Sequence, residues 1–260
     1  MNNEYRIHLE AFFTTLLDYR HSTNRLNAIL TEDAKIYSQE GATYRAGSSL
    51  IISDWSGPTD NGWEINFHTT IMKETSKENY AQEIRGIISR ECCLIYSQSF
   101  EALEKYLKDS LFNKSTINIH LKEYISSMMR KNESLSRETM PGGEKLFKIL
   151  KKTGGKAFAK QSKKNNLNIG YNELWIVLSE VRHSIVHSNS IIKFTKINRS
   201  KHHLGIFNML FNYSKIDDDY IKIQLEYKKL EKLIKRLSEF GFQAYKALSL
   251  EENLEWNVYK

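Results

Sequence analysis

The chain has 260 residues, 40% hydrophobic and 27% charged, the balance of a globular protein and not of a disordered or fibrous one. No run of about 18 apolar residues occurs, which excludes a transmembrane helix; the opening MNNEYRIHLEAFF carries Glu4 and Glu10 without a small-residue cleavage site, so no secretory leader and a cytoplasmic location are expected. A net charge of +7 suggests a polyanionic partner, an argument that gains weight only where the cations share a face.

Ile7, Phe12, Phe13, Leu16 and Leu17 are spaced for an amphipathic first helix. Trp63, Ile65, Phe67, Thr69 and Ile71 in WEINFHTTI alternate with the period of a half-buried strand, and SLIISDW before it is a candidate hairpin partner across the turn-rich loop GPTDNG. Residues 1–75 are therefore expected to form a small α+β N-terminal segment, to which no chemistry can be assigned. From residue 76 the text becomes helical. Tyr80, Ile84, Ile87, Ile88, Cys92, Ile95, Phe100, Leu103, Leu107 and Leu111 mark one long apolar stripe, with a break expected near Ser97–Ser99. Cys92 and Cys93, the only cysteines, are adjacent, a poor geometry for bridging each other, and are expected to be buried and free. Ile117, Leu121, Tyr124, Ile125 and Met128 predict a second helix. Both prolines, Pro58 and Pro141, sit in glycine-containing loops.

Residues 144–164, EKLFKILKKTGGKAFAKQSKK, carry eight lysines against one glutamate. A solvated helix face explains such a run, and so does contact with a phosphate backbone through Lys148, Lys151, Lys152 and Lys156. TGGKAF is not a phosphate loop, because the glycine four residues earlier is missing and Ala157 stands where a Ser or Thr would hold magnesium.

Leu174 opens a helix in which Val177, Leu178, Val181 and Ile185 complete a core stripe. His183 and His187 fall on the opposite face with Ile176 between them and Glu180 beside them; Arg182 lies on the flank, next to Trp175 and Val186. A helix apolar nearly all round is covered on two sides, so its second side is expected to meet another element or another copy of the chain. GIFNMLF and YIKIQL then read as two short strands around the acidic turn Asp217–Asp219. A last helix places Leu230, Leu233, Ile234, Leu237, Phe240 and Leu248 on one face, before a tail at residues 251–260. The expected fold is mainly α, a bundle of four to five helices with a small β-hairpin before the last helix.

The stretch SEVRHSIVHSNSI resembles the signature of the HEPN superfamily, in which an Arg is followed by a small polar residue, commonly Asn, Asp or His, then three residues and a His. Arg182, His183 and His187 match it. SQSFEALEKYLKDSLF resembles the long leading helices of that family, and the likeness covers residues 76–250, the expected HEPN-like domain. The resemblance implies a metal-independent endoribonuclease without cofactor, acting on RNA as a homodimer whose two motifs face one another across a cleft. It also implies employment as a toxin or defence effector, with an antitoxin or other partner protein. The residue types suit that chemistry. RNA carries its own nucleophile, the 2′-hydroxyl, so the protein need supply proton transfer and charge stabilisation, work suited to imidazole and guanidinium. His187 is then the expected general acid/base, Arg182 the phosphate clamp, His183 an orienting or auxiliary proton group, and Glu180 a residue that tunes a histidine by pairing with it. Two other readings stay open. His183 and His187 form an HxxxH metal pair, for which no third ligand is evident because His202 and His203 fit no recognised spacing. Alternatively the helix is a subunit interface and they are satisfied structural groups, in a non-catalytic module that binds RNA, nucleotide or protein. Ser179, Ser184, Ser188 and Ser190 lack the flanking glycines of a nucleophile elbow.

Overall fold

A computed structural model of the chain describes residues 3–41, 46–54, 56 and 66–257. The chain is mainly α, with two small antiparallel sheets. It divides into two compact units, one of Leu26–Ile88 and one that joins Met1–Arg25 to Ser89–Lys260. The expected cut at residue 75 is therefore not where the chain divides. Two long helices, α1 (Glu4–Tyr37) and α2 (Lys77–Ile117), each run through a boundary between units. A helix propagates one hydrogen bond per residue and has no local reason to stop at a domain edge.

In the smaller unit, β1 (Ala46–Ser53) pairs antiparallel with β2 (Asn66–Thr75), from Ala46 opposite Thr75 to Ser53 opposite Asn66, with an irregularity between Ser49 and Ile51. The expected hairpin is present. Trp55, Trp63, Ile65 and the GPTDNG loop lie outside the described residues. Among the described residues the expected half-buried face is not formed: Leu50, Ile52, Phe67 and Ile71 are all at least half exposed. A two-stranded ribbon has no second layer of its own to bury a face against. Tyr80, buried, meets Asp33 through its hydroxyl and Tyr37 edge-on at 5.5 Å, and Glu83 takes Thr75 and Lys73.

The larger unit holds the first part of α1, most of α2, then α3 (Ile119–Ser126), α4 (Gly143–Thr153), α5 (Gly155–Lys163) and α6 (Tyr171–His187). After these come β3 (Ile191–Lys193), α7 (Phe194–Ile197), α8 (Lys201–Leu210), β4 (Asn212–Lys215), β5 (Tyr220–Gln224) and α9 (Tyr227–Glu251). The sheet order is β3-β5-β4, all antiparallel. Tyr5, Leu9, Phe12 and Leu16 of α1 are buried, and Phe12 stacks on Tyr106 of α2 at 5.5 Å. This half of α1 belongs to the helical domain. So does the start of the expected tail: Leu254 N donates to Ser249 O at 2.9 Å, and Asn3 Nδ2 to Glu255 O at 3.0 Å.

Three local expectations are corrected. The stripe in α2 does not break at Ser97–Ser99, because Ser99 Oγ donates back to Ile95 O at 2.7 Å and is satisfied inside the helix. GIFNMLF is not a strand but the end of α8, where Ile206, Phe207 and Leu210 bury one helical face and Ser200 caps the start by accepting from His203 N. Short apolar runs cannot be assigned by periodicity alone, and the N-cap decides this one. The hairpin strand before the last helix is β4 instead, and β3 adds a third strand that the sequence does not signal. The lysine-rich run, finally, is two helices, parted where Gly155 takes a φ of +49° that glycine adopts without strain.

Trp175 of α6, 1% exposed, anchors the core. Its ring lies 5.2 Å from Phe100 of α2, 5.6 Å from Phe147 of α4 and 5.8 Å from Phe240 of α9. Its indole N–H is buried without an acceptor among the described residues, at a cost of roughly 1–3 kcal/mol. Packing wins, since truncating such a residue costs about 3–5 kcal/mol.

Candidate functional site on helix α6

The core stripe of α6 is as the helical wheel places it: Leu174, Val177, Leu178, Val181 and Ile185 are buried. Trp175 joins them, although the wheel sets it on the flank beside Arg182, because α2, α4 and α9 together wrap more than one stripe. The helix ends at His187. Asn189 and Ser190 follow with φ of +49° and +64°, and the turn is pinned by Ser190 N on Ser184 O at 3.0 Å and by Ile223 N on Ser190 O at 2.8 Å. The last turn of α6 is thereby tied to β5, so the two histidines sit on backbone held at both ends.

His183 and His187, one turn apart, are both exposed, with ring centroids 4.7 Å apart and planes tilted by 47°. Neither imidazole has a hydrogen bond or ion pair among the described residues. Val186, on the flank beside them, is 46% exposed. Whether they are satisfied at a subunit interface depends on a second copy; within this chain, among the described residues, neither is.

Arg182 does lie on the flank, and its side chain is 27% exposed. Its Nη2 donates to Glu101 Oε1 of α2 at 2.6 Å, while its Nε is buried without a partner among the described residues. Tyr96 lies close enough to feel the guanidinium charge. Burial pushes the Tyr96 phenol well above its usual range, Arg182 opposes that rise, and the hydroxyl donates to Leu178 O at 2.7 Å. Glu101 also borders a cavity of about 450 Å³ between α1 and α2, lined in part by His8, Lys105 and Asp109.

Glu180 does not pair with a histidine. Its carboxylate accepts from Arg199 Nη2 at 2.6 Å and lies 3.6 Å from Lys196 Nζ, two cations near α7 that close over the first half of the outer face. The second covering expected for α6 is thus split. The α7–α8 region of the chain covers the part near Glu180, and the part bearing His183, Val186 and His187 stays open.

Among the described residues the HxxxH pair has no third ligand. His203 binds Ser200 through Nδ1 at 2.8 Å, and His202 Nε2 accepts from Gly170 N at 3.4 Å, at the opposite end of α6. Among the described residues no group of three His, Cys, Asp or Glu could hold a metal ion. Cys92 and Cys93 are buried and free; burial pushes their thiols up to about 12 and about 11.

Lys148, Lys151, Lys152 and Lys156 are all exposed, over a buried face of Leu146, Phe147, Ile149 and Leu150. Lys152 is engaged, its Nζ 3.5 Å from the centre of the Tyr124 ring. The N-terminus of α5 is filled by the chain itself, because Glu251 Oε1 accepts from Ala157 N at 3.2 Å. That agrees with the absence of a phosphate loop there. Glu101, Arg199 and Lys196 carry no signal in sequence, since each becomes a partner only through packing between distant segments.

Compared with family models, curated proteins and solved structures, the chain matches none.

Proposed function

We propose that this chain is a metal-independent endoribonuclease of HEPN type, working in the cytoplasm as a homodimer whose copies face one another through the open half of α6. The observation that carries the reading is the unengaged His183–His187 pair, exposed on a rigid helix end next to Arg182. Surface histidines are ordinary. Two adjacent ones beside a guanidinium on an apolar face are the components that 2′-hydroxyl attack requires.

In this reading the His187 imidazole takes the proton of the 2′-hydroxyl as its oxygen bonds to phosphorus. Arg182 leaves Glu101 for the phosphate and stabilises the charge that builds on its oxygens. The bond to the 5′-oxygen breaks, and that oxygen takes a proton from a second imidazole, His183 or His187 of the second copy. The products are a 2′,3′-cyclic phosphate and a free 5′-hydroxyl, with no metal or cofactor consumed. Lys148, Lys151 and Lys156 would hold the strand by phosphate contacts that salt weakens. Employment as a toxin or defence effector, restrained by an antitoxin or other partner protein, follows from the family resemblance alone.

The test is incubation of purified chain with RNA in excess EDTA. Cyclic-phosphate ends that appear with the intact chain and vanish in His187→Ala and Arg182→Ala support the proposal. Intact RNA that still shifts in a salt-dependent manner would replace it with a non-catalytic binding module, a reading favoured by the carboxylate that occupies Arg182. Cleavage that returns only with added metal would overturn both.

A further inference from the structure

We infer that β1 of the smaller unit pairs antiparallel with β1 of a second copy, joining two ribbons into one four-stranded sheet. Residues 47–53 of β1 are all exposed, as are 66–68 and 70–74 of β2, so the described residues cover neither face of the ribbon. A two-stranded ribbon is marginal in water and gains stability when further strands or a helix are added. Among the described residues no third strand lies beside β1. Alternate residues along its outer side therefore offer their N–H and C=O groups to a partner strand.

The two edges of the ribbon differ. An edge that is kept free is blunted by charge, proline or a bulge. β2 is blunted: between the pairs Ser49–Met72 and Ile51–His68 it has three residues where β1 has one, and Thr70 among them takes a φ of +61°. Lys73 and Glu74 follow on the same strand. β1, with the sequence AGSSLIIS, has no charge and no proline, and the extra residues are not on its side. Addition is thus directed to β1. Once two copies pair there, the outer strands of the sheet are the two blunted β2 strands, so growth closes at a dimer.

A second copy is the occupant because the strand complements itself. A two-fold axis normal to the sheet brings together residues whose side chains share one side of it. With the axis at Ile51, Ile51 meets Ile51, Leu50 meets Ile52 and Ser49 meets Ser53. Moving the axis by one residue either way sets Ile51 against a serine. Asp54, the first charge past the strand, falls opposite Ser48, so no like charges are opposed, and an uncharged strand offers a charged partner nothing to pair with. The register also extends rows already present, since Ile52 faces Phe67 and Ile51 faces His68 within each ribbon. One side of the sheet then carries Phe67, Ile52 and Leu50 from both copies in a single patch. An edge of eight residues falls short of the about 1,200 Å² that a stable interface buries, so the pairing is weak and depends on concentration. It is independent of the proposed function, whose contact lies on α6 in the other unit.

The test is oxidative cross-linking of the full chain carrying Ile51→Cys, against a parent whose Cys92 and Cys93 are buried. A covalent dimer is expected from Ile51→Cys. None is expected from Ser48→Cys, whose two copies would stand roughly 20 Å apart at about 3.3 Å per residue. Sedimentation reads the same pairing by a second route, in a Val186→Asp background that places like charges in the proposed α6 contact. Ile51→Lys and Ile51→Glu, at a half-exposed position, should each weaken dimerisation at least about tenfold, and an equal mixture of the two should restore it. Equal cross-linking at positions 48 and 51, undiminished dimers with Ile51→Lys, open-ended oligomers, or a chain that stays monomeric when concentrated would each overturn the inference. Absent cleavage with the cross-link formed would remove the proposed function and leave this pairing standing. Cleavage by a chain that gives no cross-link would do the reverse.

Discussion

Arg182 straddles two environments, with Nε buried and unpaired and Nη2 held by a carboxylate that is itself half exposed. An ion pair this open contributes under about 1 kcal/mol. A phosphate, which offers two oxygens to the guanidinium fork, is therefore able to displace Glu101. Glu101→Gln is expected to leave the thermal midpoint within about 3 °C of the parent and to tighten RNA binding by His187→Ala protein several-fold. Weaker binding would make Glu101 the residue that positions Arg182. Two other histidines make stability depend on pH. Burial lowers the affinity of His8 and His203 for a proton, and His8 Nε2 accepts from Asn113 Nδ2 at 2.9 Å, which a protonated ring could not do. Both rings are neutral, folded or unfolded, well above the ordinary pKa of about 6.5, where their contribution is fully present. As pH falls through that value the unfolded chain takes up protons that the folded rings resist, so stability is lost on acidification. The urea midpoint should fall between pH 7.5 and 5.5, and less steeply in His8→Gln, whose amide can keep a neutral hydrogen bond.

At the scale of elements, α1 and α9 fit closely where Gly241 meets Phe12. A Cβ at Gly241 would lie 2.7 Å from Phe12 Cε1, and that ring is buried against Tyr106 with little room to yield. Gly241→Ala improves helix propensity by about 1 kcal/mol in a free helix. Here overpacking of about 1–3 kcal/mol opposes it. The net effect expected in chemical denaturation is a loss of stability, and Phe12→Leu in the same chain should recover part of it. Loss of Met1–Arg25 should likewise unfold the helical domain, because Leu9, Phe12 and Leu16 leave its core together.

For the whole molecule, the proposed function makes cleavage depend on a second copy. Val186 and the two imidazoles form an exposed patch beside Arg182 that is smaller than a stable interface needs by itself, so the proposed dimer requires further contacts. If the proposed dimer forms the site, cleavage per chain should fall as the protein is diluted through its dissociation constant, in step with the dimer fraction measured by sedimentation. Mixing His187→Ala with Arg182→Ala chains should restore a fraction of the activity if the two copies share one site. Activity that stays constant per chain in a sedimenting monomer would refute a shared site.

The helical class, the core stripe of α6, the outward placement of His183 and His187 and the buried free cysteines were all legible in the residue order, because each depends on periodicity or composition within one segment. The pairing of Arg182 with Glu101, the capture of Glu180 by Arg199 and Lys196, the return of α1 into the core and the filling of α5's N-terminus by Glu251 were not. Each joins groups from separate segments, and such partners are chosen by packing. The same physics separates α8 from the strand expected in its place: an apolar run marks burial, but its cap and its neighbours select the backbone that delivers it.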